Sequence, residues 1–273
     1  MATNESLKNQ IAKKRNGNQN TPQGYTIKQL MRAESVKQRF EETLGKKAPQ
    51  FMTSVINLVN SDTNLQKCDQ MSVVSSAMVA AALDLPIDKN LGYAWVVPYG
   101  TKAQFQLGYK GYIQLALRTG QYKNINVIEV YEGELIKWNR LTEEIELDFE
   151  QRKSDKIIGY VGYFELINGF EKTVYWSKEE IEAHRKKFSK SDFGWKNNYD
   201  AMAKKTVLRN MLSKWGILSV DMQKAYVADV AEPSENANEE IEDIEIVEGD
   251  FEDIEEAEET TESENGQQEF DIE

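Results

Sequence analysis

A long stretch of this chain contains no acidic residue, although the protein as a whole is acidic. The chain carries 46 acidic and 33 basic residues, yet the 39 positions from Asn90 to Ile128 hold no Asp or Glu. The same stretch holds seven aromatic residues and four cations, Lys102, Lys110, Arg118 and Lys123. Cations neutralise phosphates and aromatic rings stack on bases. The stretch therefore predicts a nucleic-acid partner.

Three long polar side chains in this stretch lie four residues apart, at Lys110, Gln114 and Arg118. On a helix this spacing places them on one face, where they could follow a phosphate backbone. An ordinary solvated helix face is the alternative, but such faces usually mix charges for i,i+4 pairing, so the missing acids favour a function. The other side of the helix is predicted to enter a core through Tyr109, Ile113, Ala116 and Leu117.

A second basic face is predicted near the end of the chain, in AMAKKTVLRNMLSKW (201–215). Its apolar side is assigned to the core, through Leu208, Met211, Leu212 and Trp215. The opposite side shows no acid within the segment and comprises Lys205, Thr206, Arg209, Asn210, Ser213 and Lys214. Just before it, SDFGWKNNY places three aromatic residues beside Lys190 and Lys196. These are Phe193, Trp195 and Tyr199. Either they are exposed and stack on bases, or they are buried and fix the start of the helix.

The patterns that chemical catalysis requires are missing. There is no GxxxxGK[ST] loop for nucleotide phosphates, and His184 is the sole histidine. Cys68 is the sole cysteine, so no CxxC metal site can form, and no acid stands two positions before a Lys, as in many Mg²⁺-dependent nucleases. We therefore expect a protein that is not an enzyme and has no cofactor.

Charge divides the chain into parts. From Glu232 to Glu273 there are 20 acidic and no basic residues, so residues 1–231 carry 33 basic and 46 − 20 = 26 acidic groups, a net charge of +7. Such asymmetry is typical of nucleic-acid binders, although a solvating tail on an ordinary enzyme is the alternative. We predict a flexible basic arm over residues 1–24, one compact domain over 25–230 and a disordered acidic tail over 231–273.

Cysteine usage and hydropathy point to the cell interior. One cysteine allows no disulfide framework and indicates a reducing compartment. The N-terminus lacks the apolar core of a signal peptide, and Met71–Leu83 is too short to span a bilayer. The sequence predicts a soluble, cytoplasmic protein without membrane contact.

Hydrophobic spacing predicts an α+β fold with a small, mainly antiparallel sheet packed by helices. The expected helices are Tyr25–Leu44, Pro49–Asn60, Met71–Leu83, Tyr109–Thr119, Lys178–Phe188 and Lys196–Trp215. The expected strands are Tyr93–Pro98, Gln104–Leu107, Ile125–Tyr131, Ile145–Phe149, Ile157–Leu166 and Glu171–Trp176. Hairpin turns are predicted at Tyr99–Lys102 and at Asn168-Gly169, and a left-handed helix cap at Gly120.

Three blocks of this sequence resemble one protein family. LGYAWVVPYGTKAQFQLGYKGYIQLALRTG is similar to the signature of the RecT family of phage and prophage single-strand annealing proteins. The preceding ALDLPIDKN and the later AMAKKTVLRNMLSKW resemble the flanking blocks of that family. The resemblance covers roughly residues 25–230, with the blocks in the same order.

The resemblance implies an ATP-independent recombinase that coats single-stranded DNA and anneals it to a complementary strand in a bacterial host cell. It further implies a β-hairpin, a helix and a small sheet as the core, and assembly into rings or helical filaments through edge strands or the hairpin. A 5′→3′ exonuclease of the RecE type and a host single-strand binding protein are the expected partners. The acidic tail has two hypothetical roles: it competes with DNA, or it docks a replication partner.

We expect one basic groove for DNA. Lys110, Gln114 and Arg118 are predicted to line it together with Lys205, Arg209 and Lys214, with Lys102 and neighbouring aromatic residues at its mouth. The complete set of predicted DNA-binding residues is Lys102, Gln104, Gln106, Tyr109, Lys110, Gln114, Arg118, Lys196, Lys205, Arg209, Asn210 and Lys214. The rival hypotheses are a DNA-modifying enzyme such as a nuclease and a structural protein that coats DNA without speeding pairing.

Overall fold

The computed structural model describes residues 24–189 and 192–230. Apart from Gly24, the predicted basic arm (1–24) and the predicted acidic tail (231–273) lie outside the described residues. The sequence predicts one compact domain over 25–230, whereas the described residues group into two compact units. The first unit contains residues 24–81 and 96–104, and the second contains 82–95, 105–189 and 192–230.

Helices make up most of the first unit. Their bounds are α1 Ile27–Arg32, α2 Glu34–Leu44, α3 Ala48–Asn60, α4 Thr63–Gln66 and α5 Gln70–Ala82. The continuous helix predicted over Tyr25–Leu44 is interrupted at Ala33, which is extended (φ −56°, ψ 130°) and fully buried. The Ala33 N–H still donates to the carbonyls of Gln29 and Leu30, so this donor stays paired at the break. The apolar faces of α1, α2 and α3 meet in a core that includes Leu30, Phe40 and Val55.

A hairpin of two strands, β1 (Ala94–Tyr99) and β2 (Lys102–Leu107), confirms the predicted turn. Gly100 supplies the positive φ (+59°) that the tight turn requires. Within the first unit, Asp69 N–H donates to the carbonyl of Thr101 over 2.7 Å, and Ala103 N–H donates to Ser72 Oγ over 2.7 Å. Side-chain and backbone hydrogen bonds therefore hold the tip of the hairpin.

The second unit is built around a three-stranded antiparallel sheet in the order β3-β6-β7. Val127 of β3 pairs with Gly162 of β6, which pairs with Val174 of β7. A separate two-stranded sheet joins β4 to β5, and β4 is a strand that the sequence does not predict. The strand bounds are β3 Tyr122–Tyr131, β4 Leu135–Asn139, β5 Glu144–Leu147, β6 Ile157–Leu166 and β7 Glu171–Ser177.

Five helices accompany these sheets: α6 Tyr109–Arg118, α7 Lys178–Phe188, α8 Phe193–Asn197, α9 Tyr199–Trp215 and α10 Val220–Val230. Helix α9 packs on β3, β6 and β7 through Val207, Leu208 and Met211, which are fully buried. Trp215, predicted as core, is instead 47% exposed at the end of α9, and the Lys172 ammonium lies 3.7 Å from its ring centroid. The α+β prediction is confirmed.

The described helices include none long and apolar enough to cross a membrane. The apolar helix α5 has 13 residues, about 20 Å of helix, which is less than the hydrocarbon thickness of a bilayer. Its buried face includes Val73, Val74 and Ala77, so its apolar residues belong to the core.

Candidate nucleic-acid interface

Two glycines hold helix α6 against the chain that precedes β1. A Cβ atom on Gly108 would lie 2.1 Å from the carbonyl oxygen of Gly92, and one on Gly111 would lie 2.2 Å from that of Tyr93. Neither distance is compatible with a side chain, so the two backbones approach only because both residues are glycine. Gly108 N–H also donates to the Tyr93 carbonyl over 2.8 Å. The GYKG tetrapeptide is thus explained by packing, and it leaves Lys110 on the exposed side.

The stripe predicted on α6 is partly open. Lys110 and Arg118 are exposed and Gln114 is half-buried. The opposite face is not the predicted one, because Leu117, assigned to the core, is 50% exposed. Ala116 is buried as predicted, and Tyr109 and Ile113 are only half-buried. The residues of α6 that the structure buries are Gly111, Tyr112, Leu115 and Ala116.

Arg118 has a structural role that the sequence does not indicate. Its guanidinium donates to the carbonyl of Leu83 over 2.6 Å and to that of Asp84 over 2.7 Å. Asp84 has a positive φ (+46°), so the chain turns sharply there. Charge-assisted hydrogen bonds to two successive carbonyls stabilise this turn. Arg118 therefore ties α6 to the ALDLPIDKN block, and this use competes with a phosphate contact.

A carboxylate of helix α10 lies on the second basic face. The side chain of Asp229 is 3% exposed, with Oδ1 3.5 Å from the Lys205 ammonium and Oδ2 3.7 Å from the Arg209 guanidinium. Asp229 also accepts hydrogen bonds from Leu107 N–H (2.9 Å) and from the Tyr112 hydroxyl (2.8 Å). The segment itself has no acid on this face, as the sequence indicates, and the acid comes from a helix later in the chain.

Burial gives this cluster its electrostatic character. Removal from water lowers the pKa of the Lys205 ammonium, and the nearby Asp229 charge offsets part of that change. Burial followed by the Asp229 charge raises the pKa of Tyr112 well above its usual range, so Tyr112 stays protonated and donates. Tyr226 of α10 donates its hydroxyl to the Arg209 carbonyl, and its ring centroid lies 5.5 Å from the Arg209 guanidinium. Lys205 and Arg209 are therefore held by α10.

Helices α6 and α9 pack against one another, as a shared groove would require. The structure does not bring all six predicted groove residues to one open surface, because two of them face Asp229. On α9 itself Lys214 is exposed and Asn210 is half-buried. The adjacent Lys204 forms an ion pair with Glu129 of β3 over 2.7 Å.

The remaining predicted residues lie on other elements. Lys102 and Gln104 are half-buried in the first unit, and Gln106 is half-buried in the second. Lys196 is exposed on α8, 3.9 Å from Asp192. Contact of any of the twelve residues with DNA stays a prediction.

The structure describes part of the aromatic segment SDFGWKNNY at the start of α9. Trp195 is 5% exposed, so for this ring the buried alternative holds, and its packing partner is Tyr199 at 5.5 Å between centroids. Tyr199 is half-buried, and burial raises its pKa well above the usual range. The side chain of Phe193 and the whole of Lys190 lie outside the described residues.

A metal-binding cluster of three or more His, Cys, Asp or Glu side chains is not present in residues 24–189 and 192–230. Cys68 is buried, and burial together with Asp62 and Asp69 raises the pKa of its thiol. A thiol with a raised pKa is a poor nucleophile at neutral pH.

Asp229 is the functional candidate that the sequence analysis misses. Its signal is the spacing Met222, Ala225, Asp229, which places the acid on the same helical face as two residues that are fully buried. An acid at a predicted core position indicates a buried charge, and a buried charge needs cationic or hydrogen-bonding partners.

Comparison with known proteins identifies the class. The sequence profile of the RecT family matches residues 49–246. An uncharacterized protein of Bacillus subtilis (strain 168), YqaK, is 69% identical over 229 residues, which cover 84% of this chain and 81% of that protein. Protein RecT of Escherichia coli (strain K12) is 27% identical over 205 residues, covering 69% of this chain and 76% of that protein.

The chain belongs to the RecT family. The resemblance noted in the three sequence blocks is thereby confirmed. Membership supports a DNA-binding role in single-strand annealing during recombination, and it implies self-association.

Proposed function

We propose that this protein binds single-stranded DNA and anneals complementary strands in phage homologous recombination, without ATP or another cofactor. The observation that carries the proposal is the RecT family match over residues 49–246. The geometry adds support, because the GYKG glycines of that region place Lys110 on the exposed side of α6. In this proposal the protein acts in the cytoplasm of a bacterial host, beside a 5′→3′ exonuclease of the RecE type and a host single-strand binding protein.

Annealing without nucleotide hydrolysis is physically reasonable. Each strand carries one negative charge per ~3.4 Å of duplex axis, so two strands repel each other until cations neutralise them. Base pairing then supplies the free energy, because stacking contributes about 1.4 kcal/mol per step. The protein has to hold one strand extended and to reduce the repulsion. It has no bond to break, and so it needs no catalytic group.

We assign different roles to the predicted DNA-binding residues according to their surroundings. Lys110 and Lys214 are exposed and are available to phosphates, whereas Lys196 is exposed but lies 3.9 Å from Asp192. Lys205 and Arg209 face Asp229, so we assign them to positioning α10 and to the local potential. Arg118 divides its hydrogen-bonding capacity between carbonyls of its own chain and solvent.

Self-association would extend the DNA-binding surface beyond a single chain. Among the described strands, β3 and β7 are the outer strands of the three-stranded sheet, and each has one edge that pairs with no other described strand. Large apolar residues follow α9 and stay exposed, with Ile217 at 37% and Leu218 at 42%. Backbone pairing at an outer strand or at the β1–β2 hairpin, with these apolar residues alongside, would join neighbouring copies into a ring or helical filament.

The acidic tail lies next to the basic face in sequence. Asp229 already pairs with Lys205 and Arg209, and 20 further acids follow from Glu232 onward. In our proposal the tail competes with DNA for the cationic surface or docks a replication partner. If the tail competes, a variant truncated after residue 231 binds single-stranded DNA more tightly at low salt. Unchanged affinity would leave only the docking role.

The test is annealing of two complementary fluorescent oligonucleotides at saturating protein, with ATP and Mg²⁺ omitted. We expect pairing to be faster than in the protein-free control and the product to stay bound, whereas a non-complementary pair gives no signal. Binding without acceleration would show a coating protein and contradict the proposal. Cleavage of the DNA after addition of Mg²⁺ would support the nuclease hypothesis.

A further inference from the structure

Three aromatic rings lie side by side at the surface of the second unit, on β7 and α7. The ring centroids of Trp176 and His184 are 5.4 Å apart, and those of His184 and Phe188 are 4.7 Å apart. His184 and Phe188 are four residues apart on α7, so they lie one turn above the other on the same face. Phe188 is 59% exposed, which means that its ring is not part of the core.

The rings form one side of a shallow depression of about 300 Å³. Its lining comprises Trp176, Glu180, Ala183, His184, Lys187 and Phe188. This volume is at the lower end of ligand pockets and accommodates one flat group of the size of a nucleobase. The carboxylate of Glu180 lies on the same lining, and it accepts the Ser177 N–H over 2.9 Å as part of a capping box.

A lysine lies beside the rings. The Lys187 ammonium lies 5.0 Å from the Phe188 ring centroid, within the range of a cation–π contact. Lys186 and Lys187 are both exposed in the last turn of α7. Arg185 is committed elsewhere, since it pairs with Glu182 and Asp192. The lining of the depression therefore combines the aromatic rings with the Lys187 ammonium and the Glu180 carboxylate, whereas Lys186 lies outside it.

The His184 ring adds to the apolar side of the depression. Burial, followed by the charge of Arg209, lowers its pKa, so the imidazole is neutral at pH 7. A neutral imidazole presents a π face without attracting phosphate, which leaves charge neutralisation to Lys187.

A single exposed phenylalanine would require no explanation. Three contiguous rings beside a lysine are a different case, because stacking surfaces next to cations are how proteins hold single strands without regard to sequence. A surface that packs against another protein would more often combine its rings with aliphatic residues and exclude lysine. The stackable rings beside the Lys187 ammonium therefore favour a partner with flat groups next to a phosphate.

We propose that Trp176, His184 and Phe188 form a stacking platform for one base of single-stranded DNA, with Lys187 neutralising the adjacent phosphate. This inference rests on the proposed function and deepens it, because none of these four residues belongs to the predicted DNA-binding set. The platform is a second contact for the strand, carried by α7 and β7, while α6 carries the first.

Two measurements on the full chain test the platform. The first is the affinity for a short fluorescent oligo-dT at fixed salt, for the unmodified protein and for Phe188→Ala, Phe188→Tyr and Leu141→Ala. Leu141 is 92% exposed on the β4–β5 connection and serves as the matched apolar control. We expect Phe188→Ala to weaken binding by roughly 5- to 100-fold, and Phe188→Tyr and Leu141→Ala to leave it within about 2-fold. Thermal unfolding of each variant shows that the fold is intact.

The second measurement is photo-crosslinking of an oligonucleotide that carries 5-iodouracil, with the modified residue mapped by mass spectrometry. A crosslink to Trp176, His184 or Phe188 supports the platform. Binding that survives Phe188→Ala, with crosslinks only elsewhere, overturns the platform and leaves the proposed function standing. A change in oligomeric state of Phe188→Ala without DNA, with no crosslink here, assigns the surface to a protein contact instead. Absence of binding by the unmodified protein would reject both.

Discussion

Helices α6 and α9 look alike in sequence and differ in the structure. Both carry long polar side chains on one face: α6 contains no acid, and on α9 no acid follows Asp200 of the first turn. On α6 the face remains open at Lys110. On α9 the corresponding cations, Lys205 and Arg209, are paired with Asp229, whose side chain is 3% exposed.

The difference teaches that an acid-free segment does not ensure an acid-free surface. Asp229 is 24 residues beyond Lys205 and 20 beyond Arg209, so no local pattern connects them. The chain reverses between α9 and α10, and the reversal brings the carboxylate to the cations. A basic face in sequence is a candidate for DNA contact only when the elements packed against it are known.

Replacing Asp229 tests the ion pairs that close the basic face of α9. Asp229→Ala removes the partner of two cations and the acceptor for Leu107 N–H and the Tyr112 hydroxyl. Breaking a buried ion pair on one side leaves an uncompensated charge, so we expect the unfolding free energy to fall by about 3–5 kcal/mol. Urea denaturation gives the value. Asp221→Ala, an exposed acid on the same helix, is the control and should change it by less than about 0.5 kcal/mol.

The isosteric change Asp229→Asn separates hydrogen bonding from charge. The amide oxygen can still accept one of the two hydrogen bonds, whereas the negative charge beside Lys205 and Arg209 is lost. If these cations are held back by Asp229, single-stranded DNA binding becomes tighter and its salt dependence steeper. A variant that folds but binds with unchanged salt dependence would show that Lys205 and Arg209 do not sense DNA.

Replacing Arg118 tests whether its hydrogen bonds to the Leu83 and Asp84 carbonyls hold α6 in place. Arg118→Lys keeps the charge but cannot donate to the Leu83 and Asp84 carbonyls in the same two-pronged geometry. We expect a loss of about 1–3 kcal/mol in unfolding free energy, the range for a hydrogen bond to a charged group, with little change in the salt dependence of DNA binding. Chemical denaturation and salt titrations measure the two effects separately. A steep loss of DNA affinity at full stability would instead assign the guanidinium to a phosphate.

Replacing Lys110 tests whether the exposed face of α6 contacts DNA. Lys110→Ala should leave the unfolding free energy nearly unchanged, because the side chain is exposed. The slope of log affinity against log salt should decrease in magnitude by about 0.7 if Lys110 neutralises one phosphate of a single strand. Fluorescence anisotropy between low and moderate salt provides the slope. Lys224→Ala on the exposed side of α10 is the matched control, and equal slopes for the two variants would remove Lys110 from the interface.

The smallest expected effect is the pH dependence from His184. Burial lowers its pKa in the folded state below the reference of 6.5, so the unfolded chain takes up the proton first as the pH falls through that value. Stability from this group is therefore present above about pH 6.5 and is lost on acidification. Melting temperatures from pH 7.5 to 5.5 should fall more in the unmodified protein than in His184→Phe. Parallel curves would show that the folded and unfolded states bind this proton equally.

Much of the local structure is predictable from short-range patterns. Gly100 and Gly120 have the positive φ that their places in a turn and a helix cap require, and a capping box of Ser177 with Glu180 begins α7. The helix break at Ala33 was not predictable in the same way, because alanine favours a helix and only packing imposes the extended backbone there. Strand β4 was missed because its sequence LIKWN shows no strict alternation and pairs only with β5.

The candidate site shows the same division. Lys110 and the GYKG glycines could be identified from the sequence. The structure explains the glycines, because a Cβ atom at Gly108 or Gly111 would lie 2.1 or 2.2 Å from a backbone carbonyl oxygen. The assignments of Trp215 and Leu117 to the core were wrong, since the two side chains are 47% and 50% exposed. Helical spacing alone does not show which apolar residues the neighbouring elements cover. The ring set of Trp176, His184 and Phe188 had no sequence signal, because it joins a strand to a helix.

The sequence by itself determined the α+β class, the hairpin followed by a helix, the family and an exposed lysine in an acid-free stretch. These features depend on residues that are close in sequence, because the spacing of apolar residues and the residues of a turn determine local structure. Only the tertiary structure decided that Arg118 bonds to its own chain and that Asp229 holds Lys205 and Arg209. Both are long-range electrostatic contacts, and their partners become neighbours only after the elements pack. For Asp229, burial in surroundings of low polarity also strengthens each pair.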